Sequence, residues 1–295
     1  MQLDARTMTL PDGRSADVFV GGADAGMALI AHHGTPGDAS RFAAWDDATL
    51  RHGLRLVAFS RPGYATSTRL PGRSVADVAA DVTALADALG IDTFLAIGGS
   101  GGGPHAIACA ALLSERCLAA AALVTVAPYG AHGLDWFGGM AQLNVDEFGA
   151  ALDGEDALRA WMAAHGEEYR HVTGEDLAGA LGDAIPPVDR AVLTGEEAER
   201  QAAGIRRALE HGFDGWVDDD LAFARPWGFE PEAVTRPVRI WQGELDRLVP
   251  VAHGRWLADR IPSASFSMAP GHGHLSLPIA YRDEILEDLL SVASA

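Results

Sequence analysis

The chain predicts an α/β fold: a doubly wound, mostly parallel sheet interrupted once by a helical insertion. Three observations carry this. Short apolar runs alternate with amphipathic stretches through residues 1–127. That alternation stops at Pro128 and resumes at Val238. A glycine cluster holding one hydroxyl, AIGGSGGGPHAIACAALL at residues 96–113, stands where a strand run gives way to a helix run. The length of 295 residues, 48% of them apolar, suits one large core with a sizeable insertion.

In order, Leu3–Leu10, the turn Pro11-Asp12-Gly13-Arg14 and Ala16–Val20 read as a hairpin. Met27–His32 is a short apolar strand that runs into His33-Gly34-Thr35-Pro36-Gly37, followed by a helix near Arg41–His52. Leu54–Phe59 is the next strand. Ser74–Leu89 is the clearest helix: Val75, Val78, Val82, Leu85 and Leu89 share a face, Ser74 and Asp77 form a capping box, and Gly90 suits the C′ position. Thr93–Ile97 then predicts a strand, and His105–Leu113 a helix opened by Pro104. Ala119–Val126, apolar throughout, reads as a strand buried on both faces. The late elements are strands at Val238–Trp241 and Ser265–Met268 and a helix near Ile279–Leu290. The expected division is a core over 1–127 and 234–295, with a helical cap over 128–233 and a hinge at Pro186-Pro187.

Composition narrows the function. The formal charge is −19, which argues against nucleic acid or an anionic membrane as partner. Every basic residue is arginine, so lysine nucleophiles and Schiff bases are excluded. Residues 128–233 hold 22 acidic residues against 7 arginines, hence −15 of the −19. No apolar run is long enough to span a bilayer, and MQLDARTMTLPDGRS has no signal-peptide core. Cys109 and Cys117 are expected as buried reduced thiols in a cytoplasmic protein of unassigned oligomeric state. The histidines lack the spacing of a zinc site, and the glycine cluster lacks the G-K-[ST] of a phosphate loop, so neither metal nor cofactor is expected.

Gly98-Gly99-Ser100-Gly101-Gly102 matches G-x-S-x-G between a strand and a helix. A serine in so sharp a bend needs small neighbours two residues away on each side, and the helix behind it favours developing negative charge. A serine also needs a base, and the base a partner that sets its tautomer. The loops after the two late strands, Gln242-Gly243-Glu244-Leu245-Asp246 and Pro270-Gly271-His272-Gly273-His274, supply two carboxylates and two histidines.

With these residues in place the chain resembles the α/β-hydrolases, in particular the capped esterase, lactonase and proline iminopeptidase branch. The resemblance implies Ser100 as nucleophile, Asp246 as orienting acid and His274 as base, with Glu244 and His272 as the competing choices. His33-Gly34-Thr35-Pro36 matches the family's H-G-x-P loop, which implies the N–H groups of Thr35 and Gly101 as the oxyanion hole. Ser60-Arg61-Pro62-Gly63 resembles the D-x-x-G turn, with serine in the aspartate position. His105 is expected as a packed histidine behind the elbow.

The expected reaction is hydrolysis of a carboxylic ester or lactone of a small, largely apolar molecule. His33, Trp136, Trp216 and Trp227 are the candidate pocket residues. Two other classes stay open. The acidic run Asp214–Asp220 could hold a substrate amine, as in the family's aminopeptidases, although GGSGGG lacks the bulky residue that follows serine there. The fold also serves as a ligand receptor or scaffold. Haloperoxidase activity would be a side reaction of the same triad.

Overall fold

The computed structural model describes residues 4–293, so Leu3 of the expected hairpin lies outside the described residues. Eight strands form one sheet: β1 (Asp4–Thr9), β2 (Ser15–Gly22), β3 (Met27–His32), β4 (Leu54–Phe59), β5 (Phe94–Gly99), β6 (Cys117–Leu123), β7 (Val238–Gly243) and β8 (Ala264–Ala269). Their order is β1-β2-β4-β3-β5-β6-β7-β8. β1 pairs antiparallel with β2 and β2 antiparallel with β4, whereas β4 through β8 run parallel. The C-terminal ends of β3, β5, β7 and β8 therefore open on one edge, where ligand sites of such sheets lie.

Burial explains why the central strands read as continuous apolar runs. Ile30, Val57, Phe94, Ala96, Ala120 and Ile240 face one core, and Leu29, Leu56, Leu95, Ile97 and Ala121 face the other. The period of two puts neighbouring residues on opposite faces, and helices cover both. On the first face lie α2 (Val78–Ala88), α3 (Gly103–Leu112) and α10 (Val251–Arg260); on the second lie α1 (Asp46–Arg51) and α12 (Arg282–Ala293).

Several boundaries shift for local reasons. The helix expected near Arg41–His52 begins as a 3-10 segment, Ala39–Trp45, and only α1 is α-helical. Ser74 and Asp77 do form the capping box, ahead of a 3-10 turn that leads into α2. The last helix is two, α11 (Ser276–Ala280) and α12, which meet at Tyr281.

Between β6 and β7 the chain forms α4 (Gln142–Asp153), α5 (Glu155–His165), α6 (Gly174–Ala180), α7 (Pro187–Val192), α8 (Gly195–Ala208) and α9 (Asp214–Phe223). They bury a core of their own, with Leu158, Met162, Tyr169, Val217 and Leu221 among its members. Pro186-Pro187, expected as a hinge, lies at a helix start. Pro187 opens α7, where a missing N–H costs nothing.

Candidate active site

β5 delivers the chain to Ser100, which sits at φ +54, a conformation that side chains other than glycine rarely hold. The flanking glycines make the bend possible. A Cβ on Gly98 would lie 2.1 Å from the carbonyl oxygen of Gly102, and one on Gly102 would lie 2.1 Å from that of His32. The 3-10 turn Ser100–Gly102 and then α3 follow at once. The N–H of Gly101 lies in this first turn, where N–H groups have no intrahelical acceptor.

The loops after β7 and β8 lie side by side because the strands pair in parallel register, Gln242 opposite Met268 and Gly243 opposite Ala269. They bring Asp246 and His274 together, with Nδ1 of His274 2.8 Å from Oδ2 of Asp246. The other oxygen, Oδ1, accepts from the N–H groups of Leu248 and Val249 at 2.9 and 2.8 Å, so the carboxylate cannot turn. The competing residues are placed elsewhere. Glu244 is exposed and accepts from the N–H of Gly271, while His272 packs edge-on against Tyr281. Burial disfavours protonation of His274, but the charge of Asp246, their hydrogen bond and nearby Asp189 outweigh it. Its pKa therefore stands above the ordinary 6.5. Desolvation raises the Asp246 carboxyl against the pull of His274. Ser100 and His274 border the same cavity, although no hydrogen bond joins them in this structure. Such contacts commonly tighten only when substrate binds.

One residue that gave no signal in the sequence holds the histidine loop. Asp189 of α7 is fully buried, and its carboxylate accepts from the N–H of His274 at 2.8 Å. It also accepts from the N–H and Oγ of Ser276 at 2.9 and 2.7 Å. A second buried carboxylate, Asp219 of the acidic run, braces the other side. Thr35 follows β3 in the loop facing the elbow, so close that a Cβ on Gly101 would fall 2.3 Å from its Oγ1. That hydroxyl donates to Asp219 Oδ2 at 2.6 Å. Asp219 also takes Arg61 Nη2 at 2.6 Å, Arg73 Nη2 at 2.7 Å and the Tyr64 hydroxyl at 2.9 Å. Against strong desolvation, the two arginines hold its carboxyl well below the usual range.

The acidic run Asp214–Asp220 is therefore not a solvated face. Asp218, Asp219 and Asp220 are buried on α9; Asp218 takes a two-point contact from Arg69, and only Asp220 reaches the cavity. Desolvation raises the carboxyls of both Asp220 and Glu147, its neighbour on α4, and neither carboxylate oxygen of Asp220 has a hydrogen-bond partner. The Trp216 ring nitrogen donates to Glu147.

His33 borders the cavity, but its ring atoms are engaged in the fold. Nδ1 donates to the Gly34 carbonyl at 2.8 Å and Nε2 accepts the N–H of Arg61 at 3.0 Å, and burial keeps the ring neutral. His105 donates from Nδ1 to the Gly101 carbonyl, bracing the elbow from behind. Cys109 of α3 and Cys117 at the start of β6 are free buried thiols.

The cavity measures about 250 Å³ and runs between the sheet edge and the inserted helices. Ser100, Gly101, Thr35 and His274 border it, with Phe148, Trp161, Trp216 and Phe223 among its apolar walls. Of the tryptophans singled out, Trp216 is there. Trp136 and Trp227 are not: Trp136 donates to the Ala127 carbonyl and packs on Phe137, Phe148 and His253, and Trp227 packs on Phe229 against the sheet. Being apolar, they were drawn into the core rather than into the pocket. Among the described residues, no group of three or more histidine, cysteine or acidic side chains is placed to hold a metal ion, and no helix is long and apolar enough to cross a membrane.

Comparison with known proteins agrees with this architecture. A non-heme chloroperoxidase from Streptomyces lividans is 29% identical over 167 residues, 55% of this chain and 56% of that protein, so the alignment spans about half of the relative's length. The crystal structure of a hydrolase from Pseudomonas aeruginosa superposes with a TM-score of 0.72 at 22% identity, covering 99% of both chains. That of an enol-lactonase from Burkholderia xenovorans gives 0.69 at 18% identity over 98% of this chain and 100% of that one. At such identities these two likenesses speak to the fold. The family model described as alpha/beta hydrolase fold matches residues 28–280, from β3 through α11, and the chain belongs to that family.

Proposed function

We propose that the protein is a serine hydrolase that cleaves a carboxylic ester or lactone of a small, largely apolar molecule, through an acyl-enzyme on Ser100. One observation supports this most: a serine held at φ +54 and a histidine paired at 2.8 Å with the buried Asp246 border one cavity. In this reading, His274 Nε2 takes the Ser100 proton as Oγ bonds to the substrate carbonyl carbon. The N–H groups of Thr35 and Gly101 hold the oxyanion, a pair whose members are each worth about 10²–10³ in rate. Collapse breaks the bond to the leaving oxygen, which takes the proton from His274. Water then adds to the acyl carbon by the same route and frees Ser100. The residues between β6 and β7 serve as the cap that shapes the acyl pocket, and the free thiols fit a cytoplasmic setting.

The test is labelling with a fluorophosphonate probe, with the modified residue located by mass spectrometry. Labelling of Ser100 that is lost in His274→Ala supports the reading, and an ester and lactone panel then follows. Folded protein that stays unlabelled counts against it and favours a ligand receptor.

A second reading is aminoacyl-amide hydrolysis, with Glu147 and Asp220 on the cavity wall receiving the substrate's amine. Turnover of aminoacyl anilides exceeding that of matched esters, and lost in Asp220→Asn, would favour it.

A further inference from the structure

Arg41 enters the cavity wall from the 3-10 segment after β3, and no carboxylate lies within ion-pair distance of it. Its Nη2 donates to the Gln201 side chain of α8, and its remaining donors have no protein acceptor. The carboxylates of Asp38 and Glu197 act on it only at longer range and do not offset the burial of its charge. Glu197 is occupied in any case, by Gln201 Nε2 at 3.0 Å and by Arg200. Arg282 of α12 borders the same part of the cavity. Its Nη1 donates to the Ala44 carbonyl, its guanidinium lies 5.2 Å above the Trp45 ring, and it too lacks a carboxylate partner.

The fold makes room for Arg41 at a cost elsewhere. Gly204 interrupts α8, where glycine weakens a helix, and a Cβ there would lie 2.5 Å from Arg41 Cγ. Gly37 is close on the other side, where a Cβ would fall 3.3 Å from Arg41 Nη1. In a chain of net charge −19, a half-buried guanidinium facing the cavity without an ion-pair partner is a charge awaiting an anion.

We infer that Arg41, with Arg282 beside it, receives a carboxylate carried by the substrate, so that the preferred substrates are half-esters or lactones of dicarboxylic acids. This rests on the hydrolase reading above and adds the substrate class to it. The fork of a guanidinium matches one planar carboxylate, and the apolar walls suit the methylene chain between that carboxylate and the reacting carbonyl. The overall charge acts against ligands of higher negative charge.

The experiment compares p-nitrophenyl valerate with p-nitrophenyl hemiglutarate, five-carbon acyl groups that end in a methyl and a carboxylate. Wild-type kcat/KM is expected to favour the hemiglutarate by on the order of 10- to 100-fold, through KM. Arg41→Gln should abolish that preference and Arg41→Lys should keep part of it. No preference in the wild type, or an equal loss on both esters in Arg41→Gln, overturns the inference. Calorimetric titration of monomethyl glutarate into Ser100→Ala protein reads the site without turnover. Binding that Arg41→Gln removes upholds the carboxylate site even if neither ester is cleaved and the hydrolase reading falls; absence of binding sinks it.

Discussion

Ser100 is the residue whose surroundings leave least freedom. Its backbone is held in a left-handed conformation by a carbonyl-to-glycine fit on each side, so the two flanking positions are not interchangeable with the one between them. Gly98→Ala and Gly102→Ala should both fail to give folded protein, since each new methyl meets a backbone oxygen at 2.1 Å. Gly99→Ala should fold with a Tm near wild type, because φ there is −112 and a Cβ would meet nothing within 4 Å. Thermal melts of the three variants check this. Ser100→Ala, which removes only a hydroxyl, should keep the wild-type Tm and lose all measurable ester turnover. The base of the proposed mechanism carries a pH signature. His274 must be neutral to accept a proton, and Asp246 raises its pKa above 6.5, so kcat/KM should rise with pH through a midpoint above 6.5. A midpoint below that value would mean that the group titrating is not this histidine.

At the scale of elements, the helices between β6 and β7 do more than roof the cavity. α7 lends Asp189 to the histidine loop and α9 lends Asp219 to the Thr35 loop, so each half of the site leans on a different inserted helix. Asp189→Asn keeps the shape and removes the charge. It should lower kcat with little change in KM and move the acidic limb of the pH profile downward, because Asp189 is one of the charges that raise His274. An unchanged pH profile would leave Asp189 with a purely structural role. Asp219→Asn should be the more damaging change. It leaves Arg61 and Arg73 buried without their counter-charge, at a cost of about 3–5 kcal/mol. Equilibrium denaturation of the two variants ranks them.

For the whole molecule, the buried polar ties decide whether sheet and insertion behave as one. Arg61, Arg69 and Arg73 of the core segment reach Asp218 and Asp219 of α9, and Arg207 of α8 reaches Asp17 of β2 and Asp38. Urea unfolding followed by tryptophan fluorescence and by circular dichroism should therefore give coincident single transitions. Separate midpoints would show that the inserted helices unfold first.

The strands, the elbow and the residue types around it were legible in the chain because each depends on near neighbours: a period of two, a capping box four residues long, a glycine two places from a serine. Distance defeated the rest. Between Glu244 and Asp246, and between His272 and His274, only the family resemblance chose; the pairing of β7 with β8 buries one of each pair and leaves Glu244 in water. That Asp218 and Asp219 pair with arginines rather than with a substrate amine was not legible, because those arginines lie about 150 positions away along the chain. Trp136 and Trp216 carry the same side chain, and long-range packing sends the first to the core and the second to the cavity. Asp189 has no local pattern at all, because its three donors come from the far end of the chain. Which charges are stripped of water, and what meets them there, is a property of contacts that exist only once the sheet has assembled.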